Sequence, residues 1–283
     1  MNYQWYPGHM TKAKRMMEEN CKLVDLIVEV VDARIPISSR NPIIDELGKN
    51  KFRLVLLNKA DLADPFYNRE WITYFEKQGI AVVEMNSKLR KDARSIQPVV
   101  ANICKEKTER DRKRGIINRP VRAMVVGIPN VGKSTFINSF AGKACTKTGN
   151  KPGVTKGKQW IKLNKSLELL DTPGILWPKF EDQEIGKKLA FIGSINDQII
   201  DIQDLTIELI KFFNKNYPKL IFEKYAIVEN NDPVSILNEI AQQRKCFKKG
   251  EILDLTKAAR IILDEFRSAK IGRVTLEFPK ERG

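Results

Sequence analysis

Short, nearly uninterrupted apolar runs alternate with segments of helical spacing through the first 180 residues. Residues 23–31, 53–57, 80–84, 121–127, 159–163 and 166–170 predict six strands. Residues 38–49, 67–78, 93–107 and 133–141 predict helices between them. Strands without polar alternation are buried on both faces, so the pattern predicts an α/β domain around a mostly parallel, doubly wound sheet. Beyond residue 180 the period changes. Ile252, Leu255, Ala259, Ile262 and Phe266 recur at helical steps, and residues 203–213 repeat the pattern. Strand-like alternation survives there only at residues 273–278. The chain therefore divides into residues 1–178, an α/β domain, and 179–283, a smaller, mainly α-helical domain.

Charge sharpens this picture. The 283 residues carry 50 Lys and Arg against 35 Asp and Glu. Residues 101–165 alone hold 16 basic and 3 acidic side chains, so nearly all the excess of +15 lies in one central stretch. Concentrated cationic charge is the footprint of a polyanion, with a solvated basic helix as the plain alternative. No apolar run approaches the ~18 residues that span a bilayer, and no targeting segment precedes the first strand. Four scattered cysteines (Cys21, Cys104, Cys145, Cys246) lack CxxC spacing, which argues against a zinc ribbon and for free thiols in a reducing compartment. The expectation is a cytoplasmic protein without membrane contact, a monomer when free.

Chemistry concentrates in five short segments. Gly127-Ile128-Pro129-Asn130-Val131-Gly132-Lys133-Ser134 matches GxxxxGK[ST] between a predicted strand and a predicted helix. Its glycines let backbone N–H groups of residues such as Val131, Gly132 and Thr135 surround phosphates at a helix N-terminus. Lys133 would lie along the β- and γ-phosphates, and Ser134 would ligate Mg²⁺. Asp171-Thr172-Pro173-Gly174 ends another strand, where Asp171 can hold Mg²⁺ through water and the Gly174 N–H can meet the γ-phosphate. Between them Thr155, in Pro152-Gly153-Val154-Thr155, is the candidate hydroxyl that closes on Mg²⁺ and γ-phosphate.

A base site comes earlier in the chain. Asn58-Lys59-Ala60-Asp61 follows the strand 53–57. The Asp61 carboxylate matches the guanine N1–H and 2-amino donors, which adenine lacks. Asn58 would touch the base edge or tie neighbouring loops together, and the Lys59 stem would cover the ring. Asn86-Ser87-Lys88 follows the next strand and could offer a backbone N–H to guanine O6. No second NKxD lies in residues 175–283; Asn214-Lys215-Asn216-Tyr217 fails at its last position. The order is base, base, phosphate, switch, magnesium: a circularly permuted nucleotide domain. The segment after Asp171 then runs straight into the C-terminal domain, a short covalent route for nucleotide state.

With Trp5-Tyr6-Pro7-Gly8-His9-Met10 and Val31-Asp32-Ala33-Arg34-Ile35-Pro36, the chain resembles the circularly permuted ribosome-biogenesis GTPases of the RbgA (YlqF) type. The resemblance covers nearly the whole chain. It implies a P-loop GTPase that converts GTP to GDP and phosphate with Mg²⁺, acts in assembly of the large (50S) ribosomal subunit, is stimulated by that subunit, and binds rRNA through its C-terminal domain. It also implies a potassium ion held by Asn130, for which a turn-stabilising hydrogen bond is the alternative. Position 175, where many GTPases carry a water-orienting Gln, is Ile. The resemblance offers His9, the only histidine, as a group that swings toward the γ-phosphate; a structural or exposed histidine is the other reading. Two further functions stand beside this one: a GTPase assisting another RNA-processing or RNA-modification step, and a passive RNA-binding scaffold.

Overall fold

The computed structural model describes residues 8–117, 119–142, 144–145, 159–172, 182–229 and 231–279, with side chains from residue 15 onward. Six strands form one sheet: β1 (Leu26–Asp32), β2 (Phe52–Asn58), β3 (Ala81–Met85), β4 (Val121–Val126), β5 (Gln159–Lys162) and β6 (Leu167–Asp171). Their order across the sheet is β3-β2-β1-β4-β6-β5, parallel except for the antiparallel edge pair β5–β6. All six predicted strands are present, each displaced by a few residues at most.

The central strands are apolar because both faces are covered. β1 is buried at every residue, and its register sets Leu26 beside Phe52 on one side and Ala123 on the other. The one charge in its middle, Glu29, is met by Arg40 at 3.0 Å and Arg53 at 3.4 Å, which makes burial of a carboxylate tolerable. Burial nevertheless pushes the Glu29 carboxyl above the usual range, against the pull of Arg40 and Arg53. Successive strands run outward from β1 to β3 and then restart at β4 on the other side. The sheet's switch point thus lies between β1 and β4, where a crevice opens outside the strand ends.

Eleven α-helices occur among the described residues. In chain order they are α1 (Gly8–Cys21), α2 (Ile43–Leu47), α3 (Pro65–Glu76), α4 (Arg90–Ile103), α5 (Lys105–Lys113), α6 (Lys133–Ala141), α7 (Gln183–Phe191), α8 (Ile202–Asn216), α9 (Pro218–Tyr225), α10 (Pro233–Gln243) and α11 (Leu255–Arg267). None is long and apolar enough to cross a membrane. The expected helix at 38–49 shrinks to α2, because Ile35–Ser39 is a turn closed by its own hydrogen bonds (Ser39 N to Ile35 O, 2.9 Å). The basic connector is itself mostly helix. Exposed Lys105, Arg110, Arg112 and Lys113 stand on α5 while Lys107 turns inward to Asp25 and Asp111, at 3.4 and 3.1 Å.

The helices after α7 share one apolar core with the sheet: Val125, Ile128 and Phe136 belong to the same buried cluster as Phe213, Ile262 and Phe266. The expected boundary at 178/179 lies outside the described residues. Residues 273–278 correct the expectation of a strand. Their hydrogen bonds go to loops, Val274 N to Leu62 O at 3.3 Å and Leu276 N to Arg34 O at 2.8 Å, and not to a strand ladder. The Trp71 indole donates to Glu277 O at 3.0 Å, and the Glu277 carboxylate receives the N–H groups of Ile37 and Ser38 and the Ser38 hydroxyl. The C-terminal segment therefore packs on the first third of the chain.

Candidate nucleotide site

The loop after β4 carries the phosphate motif. Gly127 has φ +156, and a Cβ there would stand 2.5 Å from Val30 O, so the close approach of the loop to β1 requires glycine. Gly132 caps α6 in the left-handed region at φ 97. Its neighbour Val131 is fully buried, and Thr135 stands half-buried on the first turn of α6 beside half-buried Ser134. The loop leads into the first turn of α6, and a helix N-terminus placed at the end of β4 is the arrangement that favours an anion.

Lys133 is buried, its ammonium donating to Gly127 O at 3.1 Å and Ile128 O at 3.4 Å. Asp171, at the end of β6, is fully buried, and neither carboxylate oxygen has a hydrogen bond of good geometry. Burial pushes Lys133 down to about 8, against the attraction of Asp171. Burial likewise pushes Asp171 up to about 6, against Lys133 and the Thr172 N–H. An orphaned buried carboxylate beside a hydroxyl-bearing helix start is a donor set of hard oxygens, which fits a magnesium ion held partly through water. Thr172 is anchored instead, its hydroxyl donating to Val125 O at 2.7 Å.

The base motif meets this loop directly. Asn58 Nδ2 donates to Val131 O at 2.6 Å, and Asn58 Oδ1 accepts from Ser87 N at 2.9 Å. One side chain thereby pins three loops, from residues 58, 87 and 131, into a single cleft. The backbone N–H groups at Asn86 and Lys88 donate to Asp92 Oδ2 and Asn86 Oδ1, both at 3.0 Å. With Ser87 N engaged by Asn58, a purine oxygen at this loop would share one of these donors. Asp61 is exposed on a 3-10 turn (Ala60–Leu62) that begins after Lys59, a residue in left-handed conformation at φ 58.

Lys59 is engaged by a buried carboxylate. Its ammonium lies 2.9 Å from Asp32 Oδ2, and the Arg34 guanidinium binds the same carboxylate with Nε at 2.9 Å and Nη2 at 2.8 Å. Burial alone would raise Asp32; the charges and hydrogen bonds of Arg34 and Lys59 outweigh it and hold the carboxyl far below the usual range. Burial also lowers Lys59, offset in part by Asp32. Motif reading did not find this triad. An Asp closing a fully buried strand, two residues before an Arg, was the available signal.

Asn130 sits at φ 63 and its side-chain amide donates to Gly193 O at 2.7 Å. Buried Ser194 adds a bond from its hydroxyl to Pro129 O at 2.9 Å. Phosphate-loop contact with the turn after α7 was not expected from the sequence. His9 lies on the first turn of α1; its side chain, like Thr155 and Gly174, is outside the described residues.

Sheet order, the Gly-rich loop at the switch point and the base loop preceding it in the chain define a circularly permuted P-loop GTPase. The family model for 50S ribosome-binding GTPases matches residues 122–239. Ribosome biogenesis GTPase A of Bacillus cereus is 46% identical over 284 residues, spanning 100% of this chain and 96% of that protein. The Thermotoga maritima protein of the same name is 32% identical over 98% of this chain and 95% of its own length. The GNP-bound structure of YlqF from T. maritima superposes with a TM-score of 0.66 at 29% identity, covering 95% of this chain and 99% of that one. The chain belongs to the ribosome biogenesis GTPase A family, and its enzymatic activity is GTP hydrolysis.

Proposed function

We propose that the protein is a GTP-driven switch in assembly of the large ribosomal subunit, binding rRNA and hydrolysing GTP faster on the maturing particle. The observation that carries the reading is the Asn58 tie, 2.6 Å to Val131 O, which joins a guanine-type loop to a phosphate cradle within one cleft. The names of its relatives supply the process.

In this reading Asp61 selects guanine, Lys59 and the 86–88 loop flank the base, and Asn58 holds the loops. Backbone N–H groups of residues 130–135 hold the phosphates and Lys133 neutralises charge developing between the β- and γ-phosphates. Ser134, Thr155 and Asp171 would hold magnesium, which would supply charge neutralisation at the γ-phosphate. Asn130 is the candidate potassium ligand, its amide nitrogen turned to Gly193 so that the oxygen faces away from that carbonyl. Gly174 and His9 complete the γ-phosphate surroundings, His9 from α1. The C-terminal helices, together with the exposed cations of α5 and Arg114, form the RNA-binding surface, because each phosphate contact releases counterions.

Hydrolysis measured with and without purified large subunits across a salt series tests the reading. Stimulation that declines steeply between about 50 and 200 mM salt is expected. A rate indifferent to subunits would overturn the ribosomal part while leaving the GTPase intact.

A further inference from the structure

The turn that follows α7 touches the phosphate loop, and a single side chain from the far end of the molecule holds that turn in place. Arg267, the last residue of α11, donates from Nε to Phe191 O at 2.9 Å and from Nη2 to Ala190 O at 2.8 Å. These are carbonyls of the last turn of α7, Ala190 O also accepting from Gly193 N at 3.0 Å, so the guanidinium adds an external cap at the negative end of the dipole. Asp197, just past the turn, grips the same guanidinium at 2.7 and 2.8 Å. Between these anchors the chain bends at Gly193, φ +75, where a Cβ would lie 3.3 Å from the Arg267 guanidinium carbon. The bend then presents Gly193 O to Asn130 and the Ser194 hydroxyl to Pro129 O.

The other end of Arg267 reaches the base side. Its backbone carbonyl accepts from Arg34 Nη1 at 3.3 Å, and Arg34 stacks on the ring of Phe266 with 5.4 Å to the centroid. Arg34 holds Asp32, and Asp32 holds Lys59 of the base loop. One residue thus belongs to two relays. One runs from its guanidinium through the 190–197 turn to the phosphate loop, the other from its carbonyl through Arg34 and Asp32 to the base loop.

We infer that Arg267 is a positioning residue of the nucleotide site: it braces the phosphate loop through Gly193 and Asn130, so nucleotide binding and the seating of α11 are energetically coupled. The coupling is reciprocal, since a nucleotide that tightens the loop must tighten the seat of α11 by the same free energy. It gives the C-terminal helices a non-covalent line to the nucleotide, independent of the chain connection after Asp171. The inference rests on residues 127–134 being the phosphate cradle.

The test is the affinity of a fluorescent, non-hydrolysable GTP analogue for the full chain and five variants: Arg267→Ala, Asn130→Ala, Asp197→Ala, and the doubles of Arg267→Ala and of Asp197→Ala with Asn130→Ala. Arg267→Ala is expected to weaken binding about tenfold, and its double variant to lose clearly less than the sum of the two single losses, because both changes act on one turn that Ser194 still ties to Pro129 O. Asp197→Ala, at a half-exposed position, is expected to give about a threefold loss that shrinks in the Asn130→Ala background. A general loss of stability would instead add to the effect of Asn130→Ala, and additivity overturns the inference. So does a folded Arg267→Ala that binds like wild type. Should Arg267→Ala not fold, Asp197→Ala decides alone, and unchanged affinity refutes the brace. Wild type binding the analogue while Lys133→Ala binds equally well would instead remove the cradle assignment beneath it.

Discussion

The two halves of the cleft are built on opposite principles. On the base side every anchoring group has a partner: Asn58 spends both ends of its amide on neighbouring loops, and Asp32 is saturated by Arg34 and Lys59. On the phosphate side buried charge is left short of partners. Asp171 has no well-formed hydrogen bond, and burial moves both it and Lys133 toward their neutral forms. A purine can be selected by a frame that stands ready beforehand. Phosphate and magnesium bring their own charge, so a site for them gains most where the protein's charges are incompletely satisfied until they arrive.

The largest expected effect breaks the phosphate side. Asp171→Asn should lower magnesium-dependent hydrolysis by about 10²–10³ while leaving stability close to that of wild type, since the lost attraction to Lys133 is offset by removing a buried carboxylate that no hydrogen bond satisfies. Single-turnover hydrolysis together with thermal unfolding checks both, and a large fall in stability would contradict the contrast. On the base side the same kind of change should cost stability. Asn58→Ala strands Val131 O and Ser87 N and should cost about 2–3 kcal/mol, read from denaturant unfolding.

The smallest effect sharpens the contrast through pH. Asp32 has a depressed folded pKa, so its stabilising contribution is complete above the ordinary carboxylate range and is lost as pH falls. Wild type should lose about 1 kcal/mol from this group between pH 5 and 3, and Asp32→Asn should flatten that limb. Unfolding free energies at several acid pH values decide it.

Much of this architecture was legible beforehand. Six apolar runs became six strands, and the Gly-rich and NKAD loops met, because strand periodicity and turn chemistry are local properties. Asp182 and Asp232, each capping the N-terminus of a helix, and Pro218 and Pro233 at first helical turns marked α7, α9 and α10. Those signals were available and went unread beside the stronger periodicity of α8 and α11. The Arg34–Arg267 and Asn130–Gly193 contacts were not legible at all. They join residues 233 and 63 positions apart, and no periodicity carries a pairing of that range. The 273–278 segment alternates like a strand, yet meets loops whose carbonyls happen to lie open.

The Glu277 carboxylate that closes the turn at Ile37 and Ser38 comes from 240 and 239 positions downstream. During translation the first strand and its turn emerge long before their clasp exists. The turn after β1 therefore gains its clasp only once residue 277 has been made, so this part of the fold closes well after its own residues have emerged.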